Sequence, residues 1–216
     1  MNIRKQSNAS LYLFFLSCVA VFLPGCVQFQ QGYPDIRTYS LEVNEPKHVT
    51  SAASPVAVHL KAFGATSQCQ DRFFVYRTGA MLYESDFYNQ LAASPARMIE
   101  DLTQNYLQGS PVVRFVLKSG FASHAHYEIQ GQVIEMYGDY RQAKEPKAVL
   151  VLEFTVSDVS GEKTQVLWQK RYQQSIPIKR PVPEALAEGW SRGLGEIEAV
   201  FESDFKEVAS SGSTKT

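Results

Sequence analysis

The sequence holds little of what a catalyst needs. It has no G-x-S-x-G nucleophile turn, no Walker phosphate loop, no H-E-x-x-H and no C-x-x-C. Of four histidines only His124 and His126 lie close enough to share a strand face. No third ligand stands beside them, and a polar pair opening a strand most simply faces water, so no metal or other cofactor is expected. Ser119 to Ser123 brings serines near a histidine without resembling a nucleophile turn, and no catalytic residue is assigned. A basic excess is missing too: 21 Lys and Arg stand against 22 Asp and Glu, for a net charge of −1. Without a basic patch or stripe, nucleic acid is a poor partner. Long apolar runs are also absent. The stretch from Leu11 to Leu23, broken only by Ser17, spans ~20 Å at ~1.5 Å per residue, short of a ~30 Å hydrocarbon core. Extensive disorder is excluded by a hydrophobic content of 44%.

What is present begins with an address. Arg4 and Lys5 precede the Leu11–Leu23 run, and small Gly25 follows it, giving a positive n-region, an h-region and a cleavage site. Leu23-Pro24-Gly25-Cys26 resembles the lipobox of bacterial lipoproteins, with Pro24 where Ala or Ser is usual. The alternative is an ordinary secretory signal followed by a chance cysteine. The lipobox resemblance implies that Cys26 becomes the diacylglyceryl-linked, acylated (palmitate-bearing) mature N-terminus. Each buried CH₂ is worth ~0.8 kcal/mol, so two or three chains hold the protein to the membrane. Val27 is not the Asp that favours inner-membrane retention in such lipoproteins, which implies the outer membrane, facing the periplasm. Cys18 would leave with the signal, so Cys69 alone would remain in the mature domain, buried and inert. The expected divisions are signal peptide 1–25, lipidated tether 26–35, one domain 36–208 and a small, polar, disordered tail 209–216.

Within the domain, alternation predicts strands over 36–43, 56–63, 72–77 and 112–117, and three long ones over 126–140, 148–157 and 164–176. Val149 to Leu152 is apolar on both faces, as in a central strand. Thr78-Gly79 and Ser157 to Glu162 are turn signals that make hairpins of their flanks. Ser94-Pro95 opens a helix through Leu107. A second helix, 184–208, carries Leu186, Trp190, Leu194, Ile197, Phe201, Phe205 and Val208 on one stripe, leaving Glu184, Glu188, Glu196, Glu198 and Glu202 for solvent. Gly189, Gly193 and Gly195 each cost that helix ~1 kcal/mol relative to Ala, so packing must sustain it. Elements in this order predict an α+β fold, a mostly antiparallel β-sheet with two main α-helices packed on it.

One region is richer in aromatic and charged residues than a core requires: Phe73, Phe74, Tyr76, Arg77, Tyr83, Asp86, Phe87 and Tyr88. Tyr and Arg are enriched at interfaces, so Tyr76, Arg77, Tyr83, Asp86, Phe87 and Tyr88 are candidate partner-binding residues. The plainer reading makes Phe73, Val75 and Phe87 core, with the tyrosines capping it. Phe73 to Gly79, Tyr83 to Asn89 and Ser94 to Ile99 resemble the motif region of the ABC-type transport auxiliary lipoproteins, a likeness extending over most of 35–206. That resemblance implies a non-enzymatic accessory lipoprotein working with an MCE-domain protein and an ABC permease and ATPase in intermembrane lipid transport and envelope integrity, with a homo-oligomeric ring as one assembly. Two functions stand: an adaptor using the aromatic region as its surface, or a lipoprotein that itself carries a hydrophobic ligand. A carrier requires an apolar cavity of several hundred Å³; an adaptor requires a packed core and an exposed patch.

Overall fold

The computed structural model describes residues 35–43, 55–117 and 119–212. The signal segment, Cys26, the tether up to 34, the loop 44–54 and residues 213–216 lie outside the described residues.

Three long segments build one side of the sheet: β7 (Tyr127–Asp139), β8 (Lys147–Asp158) and, at the edge, β9 (Gln165–Pro177). Each joins the next in an antiparallel ladder with one register shift, between Val133 and Glu135 in the first and between Val156 and Ser157 in the second; the turn residues 157–162 predict the β8–β9 pairing. On its other edge β7 is shared by three short parallel strands set one after another. β2 (Val56–Leu60) meets it at Tyr127–Ile129, β3 (Gly64–Ala65) at Gln132–Val133, and β4 (Phe73–Arg77) at Gly138–Asp139. β6 (Val113–Leu117) lies parallel to β2 at one border. β5 (Tyr83–Leu91) folds back on β4, and β1 (Arg37–Tyr39) lies parallel to β5 at the other border. The fold is α+β as expected: its long ladders are antiparallel and its parallel ladders short, which makes the sheet mixed.

Both helices lie on one face. α1 (Pro95–Gly109) packs against β6 and β7, and α2 (Pro183–Gly212) against β8 and β9. Pro95 opens α1, while the Ser94 hydroxyl makes no cap; its carbonyl accepts the Met98 N–H at 3.0 Å instead. The stripe of α2 is as read: Leu186, Trp190, Leu194, Ile197, Phe201 and Phe205 are all buried. Phe201 stacks on Phe154 of β8 at 4.3 Å, and the Trp190 indole N–H donates to the Val149 carbonyl at 3.1 Å. Leu150 and Leu152 join this core, while Val149 and Val151 form a smaller cluster with Tyr137 on the helix-free face. The central strand is therefore buried on both sides. Cys69 is free and buried, and burial pushes its thiol above the ordinary value.

Two expectations need correction. α2 runs to Gly212, so residues 209–212 are helical rather than tail, and Ala209 enters the core. Glu198 is not solvated: it is wholly buried, and Glu202 is half-buried. The reason is α1, which covers a second flank of α2 that the helix's own periodicity cannot reveal. Across this seam the Thr103 hydroxyl donates to Glu198 at 2.5 Å, and Tyr106 and Ser110 donate to Glu202. No described helix is long and apolar enough to cross a membrane.

Candidate interaction surface

The candidate surface is built on the β4–β5 hairpin. Alternation along β4 sends Phe74 to the helix side, where it is fully buried against Tyr39 and Trp190, and places Val75 in the helix-free cluster. At the turn the Leu82 carbonyl accepts the N–H of Thr78 at 3.1 Å, and the Arg77 guanidinium donates to the Ala80 carbonyl at 2.7 Å. The tip between these bonds holds Met81 at 95% exposure, with Leu82 and Tyr83 exposed beside it. Arg77 lies against two rings, its guanidinium carbon 5.4 Å from the Tyr83 centre and 6.0 Å from that of Tyr137. Tyr83 in turn meets Tyr137 edge-on at 5.5 Å. Beneath Tyr83 is a hollow of about 260 Å³ bordered by Val75, Ser85, Tyr137, Met136 and Cys69.

Midway along β5 the register breaks: Phe74 pairs with Asp86 but Phe73 with Gln90. Asp86 holds the resulting bulge. Its Oδ1 accepts the backbone N–H groups of Tyr88 and Asn89 at 3.0 and 3.1 Å; its Oδ2 accepts the Tyr76 hydroxyl at 2.7 Å and the Asn89 amide at 2.8 Å. Burial works against its charge, but these hydrogen bonds outweigh it and hold the carboxyl below its ordinary value. Tyr76 stacks on Tyr140 at 5.1 Å, and burial followed by the Asp86 contact pushes its hydroxyl well above the usual range. Burial and the charge of Asp86 push Tyr140 to about 12. The extra residues turn Phe87 and Tyr88 outward; Phe87 meets Phe73 edge-on at 5.0 Å and both Phe87 and Tyr88 are exposed.

The six candidate residues thus share one hairpin but divide by role. Tyr83, Phe87 and Tyr88 present contact area, and Arg77 braces Tyr83. Tyr76 and Asp86 spend their polar groups on each other, inside the hairpin. Phe87 is surface rather than core. Met81 and Leu82 belong to the surface and were not among the candidates; an apolar pair one residue beyond a Thr-Gly turn is the signal that could have found them. Cys26 lies outside the described residues.

Other constellations carry less chemistry. His126 accepts the Ala57 N–H at 3.1 Å and His124 lies beside Ser123, so the two histidines do not converge. Among the described residues no group of three His, Cys, Asp or Glu side chains could hold a metal. A cleft of about 900 Å³ opens between the segment after β1 and the start of α2. Its walls include Glu42, Lys179, Arg180, Glu184, Glu188 and Arg192, too many charges for an acyl chain.

No protein-family model matches the chain, and no curated protein matches it in sequence. Among solved structures it is similar to a Xanthomonas campestris protein assigned to the family model DUF330, with a TM-score of 0.70 at 13% identity, over 83% of this chain and 100% of that one. It is also similar to an uncharacterized protein (TM-score 0.61, 11% identity, 79% of this chain and 99% of that one). A hypothetical protein from Chlamydia trachomatis aligns with a TM-score of 0.51 at 10% identity, over 72% of this chain and 98% of that one. These likenesses show a shared fold.

Proposed function

We propose that this chain is a non-enzymatic lipoprotein of the outer membrane, facing the periplasm, that serves as adaptor for an MCE-type ABC transport system moving lipid between membranes. Its partners on this reading are the MCE-domain protein and the ABC permease and ATPase. The observation that carries it is the hairpin tip: Met81, Leu82 and Tyr83 stand exposed on a domain whose helix face is solidly packed. An exposed apolar cluster at the turn of a hairpin marks an interaction site. The charged residues lining the cleft at the start of α2 favour the adaptor over a carrier of hydrophobic ligand. The lipobox resemblance at Cys26 supports the anchor, and the sequence resemblance around the hairpin supports the partners.

Tyr83→Ala is expected to weaken capture of the MCE-domain protein by ~1–3 kcal/mol, roughly ten-fold or more, since exposed aromatics at interface centres carry such effects. Its melting temperature should change little, because Tyr83 is exposed and touches the fold only through the Tyr137 ring edge and the Arg77 guanidinium. Co-purification and thermal melting on the same variant decide it. Undiminished capture would remove the tip from the interface. Cys26→Ser is expected to abolish acyl mass on the chain and its fractionation with the outer membrane. A serine variant that still partitions there after detergent-free washing would place the anchor elsewhere.

A further inference from the structure

The bulge on β5 sits beside the point where the chain enters the domain. β1 and β5 run parallel with Arg37 opposite Asn89, so Ile36, one residue earlier, continues alongside Tyr88. Ile36 is 61% exposed, Phe87 62% and Tyr88 51%, three large apolar or aromatic side chains at one corner of the sheet. The corner is rigid, since Asp86 holds the bulge backbone and Phe73 supports the Phe87 ring. We propose that Ile36, Phe87 and Tyr88 form a membrane-docking patch that inserts into the headgroup and upper acyl region of the bilayer bearing the anchor. This rests on the lipoprotein reading for the anchor at Cys26.

The length of the leading chain selects a lipid surface as the occupant. Cys26 stands ten residues before Ile36, and ten residues fully extended span at most ~35 Å. The entry corner is therefore the point at which the anchor's tether joins the domain, held within that reach of the bilayer. Exposed Val166 stands away from this corner: it pairs with Ser157, which pairs with Glu128 at the start of β7, whereas the bulge is level with Phe73 and Phe74 of β4, which meets β7 near its end, at Gly138. The side chains suit the site, because tyrosine settles at the membrane–water boundary while phenylalanine and isoleucine enter the apolar layer. Charges nearby are of both signs, with Arg72 beside Asp71 and Arg37 3.6 Å from Glu184. Apolar insertion, not attraction to anionic lipid, holds this corner down, and salt should not release it. Phe87 and Tyr88 thereby leave the partner surface of the tip and take a separate task.

The test places tryptophan at the patch in the full acylated chain, reconstituted into vesicles of phosphatidylethanolamine and phosphatidylglycerol with brominated acyl chains. After subtraction of the emission of native Trp168 and Trp190, Phe87→Trp should lose about half its emission to bromine, because interfacial side chains sit ~5–10 Å into the boundary. Tyr88→Trp should behave alike and Val166→Trp should be unaffected. Melting temperature on the same variants verifies the fold, and mass spectrometry reads acylation at Cys26. An acylated chain with equal quenching at 87 and 166 overturns the patch and leaves the lipoprotein reading intact. An unacylated chain still quenched at 87 retains the patch and sinks the lipoprotein reading. A tryptophan at 87 shielded only when the MCE-domain protein is added assigns the corner to a protein and overturns the proposal.

Discussion

Glu198→Gln is expected to raise the melting temperature at pH 8 and to lower it by a few degrees at pH 4.5. Glu198 is fully buried between the two helices, with one oxygen accepting from Thr103 and the other, Oε2, without a hydrogen-bond partner. Burial raises its pKa, the Thr103 bond opposes the rise, the charge of Glu202 adds to it, and the balance pushes the carboxyl from 4.5 up to about 8. Between those two pH values the folded chain holds a proton that the unfolded chain has released. The contribution of this carboxyl to stability is thus full below pH 4.5, falls as pH rises, and is lost once pH passes about 8. At about 1.4 kcal/mol per pKa unit the whole window is worth a few kcal/mol. Glutamine keeps the acceptor for Thr103 and does not titrate, so the window disappears. Its buried amide lacks a designated acceptor, which returns about 1–3 kcal/mol of the gain. A rise of several degrees at pH 8 is expected, at ~2–4 °C per kcal/mol for a chain of this size. Melting wild type and variant at pH 4.5, 6 and 8 (the window set by the shift) decides the matter. Parallel curves for the two proteins would mean that Glu198 titrates in water and that α1 does not close over it.

Glu198 also shows what periodicity can and cannot deliver. The stripe from Leu186 to Phe205 was legible because one helix against one sheet buries one face, a relation contained in the spacing of the residues. Glu198 belongs to a second contact, with α1, and Thr103 and Glu198 lie 95 residues apart in sequence. The same division runs through the sheet. The hairpins β4–β5 and β8–β9 announced themselves by turn residues, and Val149 to Leu152 by apolarity on both faces, whereas the β7–β8 pairing was not read from the turn between them. The sharing of one edge of β7 among β2, β3 and β4 left no local trace, and β3 has only Gly64 and Ala65 to signal it. In the candidate surface the density of aromatics was legible, but not their sorting. Phe73 and Phe74 are equivalent as letters; only the position of the helices sends Phe74 inward. Asp86 read as a charge for a partner, yet its role is to hold a bulge, accepting the N–H of Tyr88 two residues on, as an Asp in a turn commonly does.

Gly189→Val is expected to destabilise the domain by ~3 kcal/mol or more, whereas Gly195→Ala, six residues along the same helix, should stabilise it by up to ~1 kcal/mol. A Cβ built at Gly189 would lie 2.6 Å from the Ala148 Cβ and 2.8 Å from the Ile178 Cγ2. Neither neighbour can retreat easily: Ala148 is the second residue of the β8–β9 ladder, paired to Ile176 and Gly138, and Ile178 is buried. The helix must move off the sheet there, and it would carry Trp190 away from the Val149 carbonyl, leaving a buried indole N–H without its acceptor. At Gly195 the nearest neighbour of an added Cβ is Val43 Cγ1 at 3.8 Å, an ordinary contact. Alanine there gives up only glycine's conformational freedom, which favours the unfolded chain. The backbone cost of glycine is thus the same at both positions, and the sign of the effect is set by the distance to β8. Chemical denaturation of the two variants beside wild type tests this, with near-equal slopes expected because the surface exposed on unfolding is unchanged. If both substitutions shift the midpoint in the same direction, the close approach of α2 to Ala148 is not what holds glycine at 189.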